Sequence, residues 1–394
     1  MSTLKVNKIE ATGTADGGIE IDSDGHIQLD GLQLPTTGAL SNRNLIINGD
    51  MRVAQRRTSQ TSVVPGGSSY PTCDRFGIFG IGTNDAVWTN SQSTDAPDGF
   101  RYSWKWDCTT ADASPHSTAR QQIHQIIEAN NCSSLNYGGT DPKSVTLTFW
   151  VKATKTGKNY VFLYHHAAEF ITIDYNIDAA NTWEKKTLTF TGANVSAFTN
   201  TNSAGLYVSW LLYVGSNYSD GTYQENTWND WIAANYNMFE GQTNNADSTD
   251  NSFLLTGVQL EVGDMATPFE HRSYGDELAR CQRYYTHSYN TGVSVGSDTT
   301  SSAALGVISS TAYSTIAYAS AGTACFPVEM RAAPTITIYS YAGTAGKINA
   351  DSTEGDGTSF RVSSKSAAFV RSNDNSGVAA NVYIACHYAA EAEL

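Results

Sequence analysis

Trp228 and Trp231 stand close together in YSDGTYQENTWNDWIAANYN, a stretch that mixes aromatics with Asn, Asp and Gln. Sugars stack their apolar ring faces on Trp and Tyr, while amides and carboxylates bond the hydroxyls. The two indoles serve equally as caps on a core or as subunit contacts, because large aromatics are usually buried. Tyr339 and Tyr341 fall at alternate positions of ITIYSYAG and share a face if that segment is a strand. Tyr313 and Tyr318 lie in a polar, Ser-rich stretch. These six aromatics are the candidate glycan or receptor contacts, and inward packing or contact between subunits is the competing role for each.

Other residue types offer less. Asp50, Glu261 and Asp264 have the oxygen chemistry of a structural calcium site. Surface solvation explains isolated acidic residues equally well, and no metal is assigned. DSTEGDGTS places Asp351, Glu354 and Asp356 in an expected turn without the full ligand series of a calcium loop. The doublet His165-His166 points to opposite faces of a strand. Six cysteines, with no CxxC pair, read as reduced, small, buried apolar residues. No GxSxG, HExxH, phosphate-binding glycine loop or dinucleotide fingerprint is present. Scattered Asp and Glu single out no pair facing across a groove, as glycoside cleavage requires. The expectation is a protein that is not an enzyme and carries no cofactor.

The elements that must hold these residues are β-strands. Charged residues make up only 16% of the chain and aromatics reach 11%, which fits short strands joined by polar turns. A net charge of −14 argues against a nucleic-acid partner, since phosphate binding needs clustered Lys and Arg. No apolar run is long enough to span a membrane, and MSTLKVNKIEATG has no apolar signal core.

Along the 394 residues, four regions follow. Residues 1–43 carry short alternating runs between Gly-Asp turns. Such pieces bury no core alone, so they either wrap with other copies around a shared axis or form a disordered leader. Residues 44–272 carry strand candidates at sandwich-like spacing, opened by NLIINGDM and closed by GVQLEV. In RYSWKWDC, Tyr102, Trp104 and Trp106 share one face. HSTARQQIHQIIEANN fits a helix or a strand, with Ile123, Ile126 and Ile127 grouped on one side of the helix. Residues 273–285 read as a linker helix packing through Leu278, Cys281 and Tyr285, with Arg280 and Arg283 free to pair with Asp276, Glu277 or neighbouring chains. Residues 286–394 read as a second β-domain at the tip.

Several motifs occur together and in order: MSTLKVNKI, NLIINGDMRVAQR, DRFGIF, SVTLTFWVKA, TWEKKTLTFTG, the Trp228/Trp231 pair, GVQLEVGDMATPFEHRSYGDELARCQRYY and CFPVEMRAAPTITIYS. The chain resembles bacteriophage tail-fibre proteins that carry a carbohydrate-binding-module-like jelly roll followed by a fibre-head domain. The resemblance implies a homotrimeric virion appendage, assembled in the host cytoplasm and located on the tail. It implies docking to a tail or adaptor protein through residues 1–43 and contact with a host-surface glycan or protein. YAAEAEL resembles the close of the head module. A head fibre or other virion decoration protein is the alternative, and a polysaccharide depolymerase is a third reading.

Overall fold

A computed structural model describes residues 8–10, 18–21, 27–29, 32–33, 41–64, 66–166, 169–193, 195–220, 224–230, 238–290, 292–299, 320–350, 353–359, 364–372 and 384–394. Four short strands open the chain as an antiparallel meander: β1 (Lys8–Glu10), β2 (Gly18–Ile21), β3 (Ile27–Leu29) and β4 (Leu32–Gln33). Ile9 stands opposite Ile19, and Ile9, Ile19 and Ile21 are all exposed. So small a sheet removes little apolar surface from water by itself.

The body is a sandwich of two antiparallel sheets. Its strands are β5 (Ser59–Val63), β6 (Gly67–Ser69), β7 (Gly77–Ile81), β8 (Val87–Ser93), β9 (Ser103–Thr110), β10 (Arg120–Glu128) and β11 (Val145–Ala153). Then follow β12 (Gly157–His165), β13 (Glu169–Ile177), β14 (Glu184–Phe190), β15 (Ala204–Val214), β16 (Asn229–Asp230) and β17 (Ser252–Val262). One sheet runs β16-β13-β12-β15-β10-β7-β6 and the other β14-β11-β17-β9-β8-β5. Period-two alternation points Trp104, Trp106, Val145, Leu147, Phe149 and Val151 into the space between the sheets, where all are fully buried. Each large side chain so removed from water contributes about 1.5–3 kcal/mol. The Trp104 indole is also held, donating to Thr72 Oγ1 at 2.9 Å and Asn90 Oδ1 at 2.8 Å.

The ambiguous segment is a strand. β10 is buried along its whole length, and a short 3-10 helix (Ala129–Leu135) follows it. Both of its faces mix polar and apolar residues, Gln121 with Ile123 and Ile127 on one and Gln122 and His124 with Ile126 on the other, so no period of two marks it as β and its isoleucines also fit a helix.

Asn44–Met51 is not a strand, contrary to the sequence reading, but it does lie against the closing strand. Leu45 N donates to Leu260 O at 2.9 Å, and Val258 N donates to Gly49 O at 2.9 Å. Between them the Asn44 side chain replaces ladder bonds, donating to Val258 O and accepting from Leu260 N. Asn48 and Met51 have φ of 61° and 59°, left-handed values that a continuous strand excludes. A Cβ on Gly49 would collide with Val258 O, so the close approach needs glycine there.

The linker helix is α2 (Tyr274–Gln282), following the single-turn α1 (Ser216–Ser219). The Ser273 side chain caps α2 by accepting from Asp276 N at 3.2 Å. Of the expected strip, Cys281 and Tyr285 are buried and Leu278 is half-buried; Tyr285 already belongs to the following strand (Tyr285–His287), and the charged Glu277 is the second buried helical position. Glu277 accepts from Asn48 N and faces Arg272, so the helix anchors the opening segment. The expected pairings within the helix are also corrected. Arg283 forks onto Glu128 with two contacts of 2.8 Å, and Arg280 donates to Asn42 Oδ1.

The last region holds β18 (Tyr285–His287), β19 (Ser320–Cys325), β20 (Thr335–Tyr339), β21 (Lys347–Ala350), β22 (Thr353–Ser359), β23 (Ala367–Ser372), β24 (Ile384–Ala385) and β25 (His387–Glu391). They form a three-stranded sheet, β18-β25-β20, and a five-stranded one, β19-β23-β22-β21-β24. β22 overturns the expected turn at DSTEGDGTS, because backbone pairing with β21 and β23 outweighs its turn-rich composition. Two further segments of this region whose sequence reads as strand, 304–308 and 360–362, lie outside the described residues.

Residues 391–394 return to the sandwich. Glu393 meets Arg75 and Arg56, Ala392 N donates to Tyr284 O at 2.8 Å, and the Tyr70 hydroxyl donates to Leu394 O at 3.0 Å. Arg75, 1% exposed, lies 3.4 Å from the centre of the Tyr284 ring.

Candidate functional site

The seven-stranded sheet has a second face, turned away from the sandwich core. Alternation sends Val161 and Leu163 of β12 inward and Tyr160, Phe162 and Tyr164 outward. β10 sends Ile123 inward and Gln122, His124 and Ile126 outward. Register then builds rows across the sheet. His124 pairs with Gly77 and Ser209, Gln122 with Phe79 and Leu211, and Tyr164 with Tyr207. The rows floor a cleft of about 360 Å³, within the range of ligand sites. At one end, Tyr218, Met238 and Phe239 pack down onto Phe162, Phe170 and Leu211. At the other, Ser68 and Leu394 form the rim.

The floor is aromatic with a few polar heads. Tyr164 and Tyr207 meet edge to face at 5.3 Å. The Arg120 guanidinium lies 5.8 Å from the Phe79 and Phe162 rings and 5.3 Å from Tyr218. Gln122 Nε2 donates to Ser209 Oγ at 3.2 Å, while its Oε1 has no hydrogen-bond partner among the described residues. His124 Nε2 lies 3.4 Å from Ser68 Oγ, while its Nδ1 has none. Burial, reinforced by Arg75, pushes the His124 pKa down to about 3, so the ring is neutral at ordinary pH. An unpartnered buried polar atom costs about 1–3 kcal/mol. Both atoms are shut off from solvent, each on a side chain that lines the cleft and is anchored through its other end. Gly77 makes room for them, since a Cβ there would stand 3.0 Å from His124 Nε2.

None of the three sequence candidates that the structure describes, Trp228, Tyr339 and Tyr341, lines this cleft. Trp228 is half-buried against the sandwich core, with its indole donating to Thr191 O at 2.9 Å and its ring edge-on to Tyr137 at 5.6 Å. That is the core-cap arrangement. Tyr339 ends β20 and lines a different cleft beside the three-stranded sheet. Tyr341 lies beyond the strand in a turn, its amide donating to Asn349 Oδ1 at 2.6 Å, so the two tyrosines do not share a strand face. Trp231, Tyr313 and Tyr318 lie outside the described residues.

The acidic residues considered for calcium are engaged or apart. Glu261 accepts from Thr267 N at 2.9 Å and Thr267 Oγ1 at 2.6 Å, and Asp50 pairs with Arg52 at 2.5 Å. His165 contacts Glu169 at 3.1 Å. Five of the six cysteines are buried and Cys325 is exposed.

Sequence reasoning missed Phe79, Gln122, His124, Phe162, Tyr164 and Tyr207. A signal existed: NYVFLY alternates aromatics with aliphatics, so both faces of β12 want cover. Which aromatics converge is a property of register between strands far apart in the chain.

No protein-family model matches this chain, and no curated protein matches it. Among solved structures it is similar to the enzymatically active domain of tailspike protein 4 of bacteriophage CBA120, at 14% identity and a TM-score of 0.27, over 51% of this chain. That match spans about a fifth (21%) of the tailspike chain. A sugar-binding protein described as putative, from Bacteroides thetaiotaomicron, matches at 12% identity and TM-score 0.31, over 56% of this chain and 100% of its own. The N-terminal cellulose-binding domain of Cellulomonas fimi β-1,4-glucanase C matches at 12% identity and TM-score 0.26, over 54% of this chain and 100% of its own. Likeness at this level identifies no ligand for this chain.

Proposed function

We infer that this protein is an adhesive virion appendage, a trimeric phage tail fibre, and that the outer-face cleft holds a segment of a host-surface glycan. The observation that carries the binding half is the cleft itself. Aromatic faces at Phe79, Phe162, Tyr164 and Tyr207 surround two anchored side chains whose Oε1 and Nδ1 lack partners. Hydroxyls that bond those atoms once the Gln122 and His124 side chains turn toward the cleft, with ring faces on the aromatics, satisfy a sugar's two kinds of surface at once. The appendage half rests on the resemblance of the sequence motifs to phage tail fibres. Exposed Ile9, Ile19 and Ile21 on the meander support self-association, since a second and third copy would cover them.

The proposal is binding without cleavage. The cleft is lined by aromatic rings, an amide, an imidazole and a guanidinium, whereas glycoside hydrolysis uses two carboxylates.

The test is calorimetric titration of the full chain with a panel of neutral oligosaccharides. At least one binds, and Tyr164→Ala weakens it about tenfold or more. Absence of binding across the panel, or wild-type affinity in Tyr164→Ala, overturns the reading. Light scattering gives about three times the chain mass. Antibody decoration of virions at the tail separates a tail fibre from a head decoration.

A further inference from the structure

Ser68 and Leu394 line two clefts at once. Beyond them lies a second cleft, of about 470 Å³, where the last region meets the sandwich. Its floor is one face of β20 and β25 together with Tyr285 of β18. Alternation brings Thr335, Thr337 and Tyr339 to that face, while Ile336 and Ile338 pack into the core behind. Its wall is Arg56, Arg57 and the Ser68–Tyr70 segment at the end of β6.

In a chain of net charge −14, this cleft is cationic on one side. Arg57 is exposed and, among the described residues, has no carboxylate partner. Arg56 is 7% exposed and pairs with Glu391 and Glu393, yet its Nη1 has no hydrogen-bond partner among the described residues. Glu391, the carboxylate that lines the cleft, is engaged by Arg56 at 3.2 Å. Tyr339 is half-buried, edge-on to Tyr289 at 6.3 Å, and lies within the electrostatic reach of Arg57.

The geometry points to a second saccharide subsite, for an acidic sugar whose carboxylate meets Arg57 while its ring lies on Tyr339 and its hydroxyls face Thr335, Thr337 and Ser69. This rests on the glycan-binding reading of the first cleft, and the shared rim makes the two sites neighbours along one glycan chain. A guanidinium fork matches a carboxylate with two parallel hydrogen bonds, and a free arginine in a cleft is screened less than one on open surface. The hydroxyl-rich floor and the phenol ring select a sugar acid over a bare anion.

The experiment titrates the full chain with cellotetraose and with the oligouronate of the same length and linkage, at low and high salt. The oligouronate binds about tenfold tighter at low salt, as one charge-assisted hydrogen bond supplies. The advantage shrinks at high salt. Arg57→Gln brings the oligouronate down to the neutral affinity and leaves cellotetraose binding unchanged, while Arg57→Lys keeps part of the preference. Equal affinity for the two sugars overturns the subsite, as does a preference that survives Arg57→Gln. A sulfated analogue that matches the oligouronate overturns the carboxylate assignment. If cellotetraose binds through Tyr164 and the uronate gains nothing, this subsite falls and the first cleft stands. If neither sugar binds while another neutral oligosaccharide of the panel does, this subsite falls and the first cleft stands, and if nothing in the panel binds, both fall.

Discussion

Glu393→Gln tests how the last region is held on the sandwich. The carboxylate lies between two guanidiniums whose side chains are 1% (Arg75) and 8% (Arg56) exposed, and it is itself 5% exposed. With the charge removed, Arg75 keeps Ile126 O and the Tyr284 ring, and Arg56 keeps Glu391, whose side chain is 50% exposed. Losing one partner of a buried pair costs about 3–5 kcal/mol. The remaining π contact and the amide oxygen of Gln place this case at the lower end, about 3 kcal/mol. The readout is native-state hydrogen exchange of the amides pairing β18 with β25. Their protection drops about a hundredfold, while β17 amides keep theirs. Arg75→Met combined with Glu393→Gln costs less than the sum of the single changes, by about 2 kcal/mol. A loss under about 0.5 kcal/mol, or strict additivity, would refute the argument by reducing the cluster to a surface ion pair.

Three further outcomes follow from the same geometry. His124, lowered from 6.5 to about 3 by burial and Arg75, binds no proton in the folded state where the unfolded chain does, so its contribution is full above pH 6.5 and falls as the pH drops. The loss is about 2 kcal/mol at pH 5. Asp74, raised by burial to about 6 against the pull of Arg56, contributes the opposite slope. Urea titrations of wild type and His124→Gln across pH isolate the histidine share, and identical slopes would contradict it. Gly257→Ala places a Cβ 2.8 Å from both Phe100 and Trp150 at a φ of 61°, so thermal unfolding moves down by several degrees. An unchanged Tm would show that the two rings yield freely. Trp228→Ala lowers Tm by removing an edge cap on the core yet leaves oligosaccharide affinity unchanged, and lost affinity with intact stability would return Trp228 to the list of ligand contacts.

Local pattern exposed much of the body. The strands at RYSWKWDC, SVTLTFWVKA and GVQLEV were readable because one face of each is dry and the other bears polar residues. Where polar and apolar residues share both faces, the period was lost, as in β10. Where side chains substitute for ladder bonds, as at Asn44 and Asn48, an apolar run resembled a strand and was not one. The linker helix was legible in extent, and its packing through Cys281 and Tyr285 was legible too, but the burial of Glu277 was not. Glu277 is buried because Arg272 and the Asn48 amide are there to meet it, a circumstance set by residues far away in sequence.

By itself the sequence determined an antiparallel β protein with a helix between two β regions, because side-chain alternation and turn chemistry act over a few residues. Only the tertiary structure decided the site. Phe79, Gln122, His124, Phe162, Tyr164 and Tyr207 become neighbours through the order β12-β15-β10-β7, a sheet order that no local period encodes. The second cleft depends on residues 391–394 folding back onto Arg56 and Arg75. That contact is long-range in the chain and is held by a buried charge whose partner only the fold supplies.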